Sequence, residues 1–135
     1  MIVTDVTDLG RAATPTGAVI GWGCLARRGM LHSECEAVDY LELSPRATVT
    51  MDGRSGTEEA WYVLEGRAEF GDPTTGRLQH VAAGHLALRP AGTSPIVRNA
   101  SSDTPLRLLL VVVLPRAVSD RLPRRSPVAD QDRRS

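Results

Sequence analysis

Residues 58–99 read EEAWYVLEGRAEFGDPTTGRLQHVAAGHLALRPAGTSPIVRN. Short runs of β-prone residues at 61–65, 67–70, 78–81, 86–89 and 96–99 are split by Gly66, Asp72-Pro73, Gly84 and Pro90-Ala91-Gly92. Gly66 and Gly84 suit tight strand connections that need positive φ, and Pro90 and Gly92 build a further turn. Working outward, the same alternation of run and breaker gives strands at 19–27, 37–43, 47–51 and 106–114, with Ser44-Pro45 and Asp52-Gly53 between them. No segment keeps a helical apolar period for three turns. About nine strands in the first 115 residues predict an all-β sandwich or barrel.

The run LRLLLVVVL at 106–114 is apolar on both faces. Such a strand is expected to be covered on both sides, centrally in a packed sandwich or at a subunit interface. With strand-like segments between positions 3 and 27, it predicts a homodimer. Only five aromatic residues occur, so the core is aliphatic; Trp61 stands out as a candidate for a special position, whereas Trp22 reads as core filler.

Sixteen arginines balance sixteen acidic residues and there is no lysine. That excludes lysine Schiff-base chemistry and argues against a general polyanion binder, so no nucleic-acid partner is expected. The longest apolar run, residues 108–114, is far short of a membrane span. The N-terminal MIVTDVTDLGR carries two aspartates where a secretory signal needs positive charge. Two cysteines, Cys24 and Cys35, make no disulfide framework. A cytoplasmic protein without a membrane partner is therefore expected. Residues 1–115 hold ten arginines and thirteen acids, a net of −3; residues 116–135 hold six arginines and three aspartates, a net of +3. The latter stretch, rich in proline and poor in apolar residues, is expected to be a basic, disordered tail.

Residues 45–99 resemble the cupin family of small jelly-roll barrels. Glu59, six residues and Gly66 match the second half of that family's first motif. Gly84, five residues, Pro90-Ala91-Gly92, two residues, Pro95, three residues and Asn99 match its second motif except at the histidine. The resemblance implies one cupin jelly-roll β-barrel domain over residues 1–115, and is similar in type to small stand-alone cupins of actinobacterial secondary metabolism. It also implies a metal site of three histidines and the glutamate. Here the histidine pair falls on Asp52 and Arg54, or on Gly53 and Ser55 in the neighbouring register, and the third is Pro95. Only Glu59 remains, so no metal and no other cofactor is expected. His80 and His85 read as surface residues. His32 and Cys35, with Glu34 between them and Cys24 nearby, are candidates for a displaced metal site, but their spacing fits no known zinc pattern and needs a fourth donor.

In a cupin barrel Glu59, Trp61 and Val63 would share the inner face of one strand, and Pro95, Val97 and Asn99 that of another, with Asp52 and Arg54 at the mouth. An apolar cavity so lined suits a hydrophobic, partly oxygenated small molecule. Three readings stay open. The leading one is metal-independent acid/base cyclisation, dehydration or isomerisation of a biosynthetic intermediate, with Glu59 as acid or base, Trp61 as stacking wall, and Asn99 or Arg54 holding a carbonyl. The second is a non-catalytic carrier or sensor. The third is a structural protein with a vestigial pocket. A cation beside Glu59 would turn it from a poised acid into an ion-paired anchor.

Overall fold

The structure, a computed structural model, describes residues 1–7, 9–28, 30, 35–50, 56–72, 74–93, 95–114, 117, 120 and 121. The expectations for His32, for Asp52 and Arg54, and for most of the tail at 116–135 lie outside the described residues.

Ten strands follow in order: β1 (Gly10–Ala13), β2 (Val19–Arg27), β3 (Cys35–Leu43), β4 (Thr48–Thr50), β5 (Glu58–Glu65), β6 (Arg67–Gly71), β7 (Leu78–Ala82), β8 (Leu86–Arg89), β9 (Ile96–Asn99) and β10 (Leu106–Val113). They form a six-stranded sheet, β1-β2-β3-β10-β5-β8, and a four-stranded sheet, β4-β9-β6-β7. Every pairing is antiparallel. The all-β jelly roll expected from the sequence is thus present. β1 lies within the strand-like stretch at 3–27 but is not assigned as a strand of its own by the sequence, because GRAA carries neither alternation nor β-propensity; its pairing with β2 imposes the extended backbone.

Alternation builds the core. On β5 the buried residues are Glu59, Trp61 and Val63, and on β9 they are Val97 and Asn99. Leu41, Leu43, Trp61, Val63, Ala68, Val97, Leu106, Leu108 and Leu110 have no exposed surface. β10 lies centrally, between β3 and β5. Its inward Leu106, Leu108 and Leu110 are fully buried. Its outward Leu109, Val111 and Val113 are only half-buried, so the protein by itself does not cover both faces of this strand as expected.

The turn after β5 shows why glycine stands at position 66. Its φ is +91°, and a Cβ there would sit 2.7 Å from the carbonyl oxygen of Pro105. Gly66→Ala is expected to lower stability by about 1–3 kcal/mol. A urea midpoint equal to that of the parent protein would show that this turn relaxes without strain. Arg46, after Ser44-Pro45, also takes a left-handed conformation with φ of +61°. There its N–H donates to the Ser101 carbonyl at 3.0 Å.

Candidate functional site

The antiparallel register aligns two rows of side chains across the inner face of the six-stranded sheet. One row runs Arg89, Glu59, Val112, Ala37, Arg27; the other runs Ala87, Trp61, Leu110, Asp39, Cys24. Each row therefore sets polar groups among aliphatic ones.

Glu59 is 4% exposed and Arg89 6% exposed. Arg89 Nε donates to Glu59 Oε2 at 2.9 Å, and Nη2 lies 2.8 Å from Oε1, a bidentate pair. Trp61 Nε1 donates to the same Oε2 at 2.9 Å. The rest of the guanidinium is engaged as well. Nη1 donates to the carbonyls of Pro90, at 3.2 Å, and Thr93. Nη2 donates to the Thr57 carbonyl at 3.1 Å, with the Thr57 hydroxyl at 3.4 Å. A guanidinium carries five N–H groups, and all five are directed at protein oxygens. Arg89 thus ties β5, β8, the 90–93 turn and the segment before β5 together.

A second acid faces the interior. Asp39, 4% exposed, accepts from Arg27 Nη1. That bond, against the effect of burial, raises the Arg27 guanidinium above its ordinary pKa. The sequence pointed to neither pair.

The cavity beside these groups has a volume of about 370 Å³, within the range of small-molecule sites. Trp61 and Phe70 form its base, with ring centroids 5.7 Å apart and planes at 77°. Ala87, Pro90 and Pro95 make apolar wall; Arg77, Gln79 and Thr93 bring polar groups to it. Asp72 also lines it, and hydrogen bonds from the Thr74 N–H and the Thr75 hydroxyl hold its carboxyl below the ordinary pKa.

Several expected site residues have other duties. Val63 and Val97 are packed into the core at 0% exposure and do not line the cavity, because aliphatic side chains fill that part of the barrel. Asn99 also lies off the cavity. Its Nδ2 donates to the carbonyls of Leu43, Ser44 and Thr104 at 3.0, 3.2 and 2.8 Å, and its Oδ1 accepts from the Ser101 N–H at 2.9 Å. Its amide pins β9 to the loops beside it, leaving no polar atom for a carbonyl. Trp61 is at the cavity as expected, but at 0% exposure it presents no open stacking face. Glu59 faces inward as expected, and the cation beside it is Arg89.

A cupin metal centre does not fit the described donors. Glu59 is committed to Arg89 and Trp61, Pro95 offers no donor, and no group of three His, Cys, Asp or Glu among the described residues is placed to hold an ion. Burial raises the Cys35 thiol above its ordinary pKa, the wrong direction for a metal-binding thiolate. Neither Cys24 nor Cys35 is in a disulfide. His80 and His85 are exposed, as read from the sequence.

No protein-family model matches the sequence, and neither does any curated protein. Solved structures do resemble this one. A predicted oxalate decarboxylase from Thermotoga maritima superposes with a TM-score of 0.71 at 22% identity, over 84% of this chain and 99% of that one. A Cupin 2 conserved barrel domain protein from Salinispora arenicola gives 0.63 at 20% identity, over 76% and 81%. The Cupin_2 domain of an XRE family transcriptional regulator from Enterobacter cloacae gives 0.61 at 18% identity, over 72% and 98%. With the jelly-roll sheets and the paired motif glycines, these likenesses establish the fold of this chain as that of the small cupin barrels.

Proposed function

We propose that this chain is a metal-independent, small-molecule-binding cupin that holds its ligand without acid/base chemistry. The observation that carries this reading is the closed circuit of Arg89, Glu59 and Trp61. Both Glu59 oxygens and all five guanidinium N–H groups are used inside the protein. Moving a proton onto Glu59 would break a charge-assisted bond in a nearly dry site, which disfavours the acid/base role. Asp39 is likewise engaged with Arg27. The solved structures of like fold include a regulator's cupin domain as well as a predicted oxalate decarboxylase, and the fold by itself does not choose between such roles.

The ligand is a compact, partly apolar organic molecule with a carboxylate or another acceptor. Ala87, Pro90 and Pro95 take the apolar body, and Arg77 is a cation on the rim with no ion pair among the described residues. A thermal-shift series of aromatic carboxylates and their neutral amides tests this. At a hundred times its dissociation constant a bound compound adds about 2.7 kcal/mol. Arg77→Ala is expected to weaken the carboxylates about tenfold and spare the amides. Ala87→Trp, which fills the cavity from its wall, is expected to abolish both shifts. Stabilisation that survives Ala87→Trp, or a series in which nothing binds, refutes the reading.

A cytoplasmic location without nucleic-acid or membrane partners accords with the balanced charge. No described helix is long and apolar enough to cross a membrane.

A further inference from the structure

Two opposite charges face the cavity without meeting each other. On β6 Ala68 and Phe70 are buried, and Asp72, two residues on, falls on the same side at the cavity. On β7 Gln79 stands opposite Phe70 in the register, and Arg77, two residues earlier, joins it there. The Asp72 N–H donates to the Arg77 carbonyl at 2.9 Å, and the Gly76 N–H donates to the Asp72 carbonyl at 2.8 Å. These bonds hold Asp72 and Arg77 side by side across the neck of the β6–β7 hairpin. Their side chains form no ion pair with each other, nor with any other charge among the described residues.

Asp72, half-buried, is set up to accept a further bond. The Thr74 N–H donates to its Oδ1 at 2.8 Å and the Thr75 hydroxyl to its Oδ2 at 3.0 Å. A carboxylate has about four lone-pair positions, so each oxygen keeps room for another donor. The same two bonds hold the carboxyl below its ordinary pKa, and the negative charge is present throughout the neutral range.

The remaining charge at the cavity is already matched, because Glu59 balances Arg89. One carboxylate and one guanidinium are left, above a base of Trp61 and Phe70. A simple carboxylate is drawn by Arg77 and repelled by Asp72. A simple amine meets the reverse. A neutral molecule covers both charges and pairs with neither, which costs desolvation without return. A molecule with both charges beside one apolar group meets every feature of this lining.

Building on the carboxylate-binding reading above, we propose that the cavity takes a free apolar α-amino acid. Its ammonium donates to Asp72, its carboxylate accepts from Arg77, and its side chain lies against Ala87, Pro90 and Pro95. One Cα carries both charged groups of such a ligand, as the hairpin neck carries both of their partners.

Isothermal titration calorimetry of the full chain at pH 7 compares L-phenylalanine with hydrocinnamate, which lacks the amine, and with L-phenylalaninamide, which lacks the carboxylate. L-phenylalanine should bind at least about tenfold more tightly than either. Asp72→Asn keeps an oxygen for the Thr74 N–H, and with it the turn, but removes the charge. In this variant the preference for L-phenylalanine over hydrocinnamate should fall below about threefold. Hydrocinnamate itself should bind at least as tightly as to the parent, since the repulsion is gone. Equal affinity of the parent for L-phenylalanine and hydrocinnamate overturns the proposal and leaves the carboxylate reading standing. An amide that binds as tightly as the acid, or a preference undiminished in Asp72→Asn, overturns it as well. If none of the three compounds binds, both readings fall.

Discussion

Arg89→Met should destabilise the protein by about 3–5 kcal/mol, the range seen when one partner of a buried ion pair is removed. The loss has two sources. Glu59 is left at 4% exposure with only the Trp61 indole N–H as partner. The carbonyls of Thr57, Pro90 and Thr93 lose the donor that gathers them around one guanidinium. The double variant Glu59→Gln/Arg89→Met should regain part of the stability, because the stranded carboxyl group is gone while the carbonyls stay unpaired. Urea unfolding followed by tryptophan fluorescence measures all three proteins. A loss below about 1 kcal/mol for Arg89→Met would mean that the pair is hydrated in solution. Glu59→Gln by itself separates binding from acid/base chemistry. Ligand affinity at the cavity should change less than about threefold, since the carboxylate stands behind Arg89. Turnover of a substrate that falls by about 10²–10⁴ in the same variant would restore the catalytic reading.

Asn99→Asp should be comparably severe, about 3–5 kcal/mol at pH 7, although it changes one atom of the side chain. The native Nδ2 shares its two N–H groups among three carbonyl oxygens. A carboxylate oxygen in that place meets three acceptors and no donor, in a residue with 0% exposure. The fold then favours the protonated acid, so the carboxyl pKa of the folded variant rises above its unfolded value near 3.9. A raised folded pKa makes the penalty full above that pKa and removes it as pH falls towards the unfolded value. The gap in urea midpoint between variant and parent should narrow from pH 7 to pH 4. A gap that holds constant across that range would show that this side chain reaches water.

The sequence by itself determined the jelly roll. The punctuation at Gly66, Gly84 and the 90–92 turn is local chemistry, and the period-two burial on β5 and β9 follows from side-chain alternation. Three strands, β2, β8 and β9, have the bounds read from sequence, because breakers flank them closely. The absence of motif histidines was equally legible, since it is a matter of residue identity. Tertiary structure decided what the polar groups do. Glu59 and Arg89 are thirty residues apart, and only the β5–β8 register sets them side by side. In LALR the leucines at 86 and 88 are exposed while Arg89 is buried, the reverse of a hydrophobicity reading. Asn99 read as pocket lining because it sits on an inward position, yet inward also means towards the loop carbonyls it clamps. Alternation tells which side of a strand a residue occupies. Its partner there is set by long-range pairing, and that pairing turned an expected acid/base group into half of a closed ion pair.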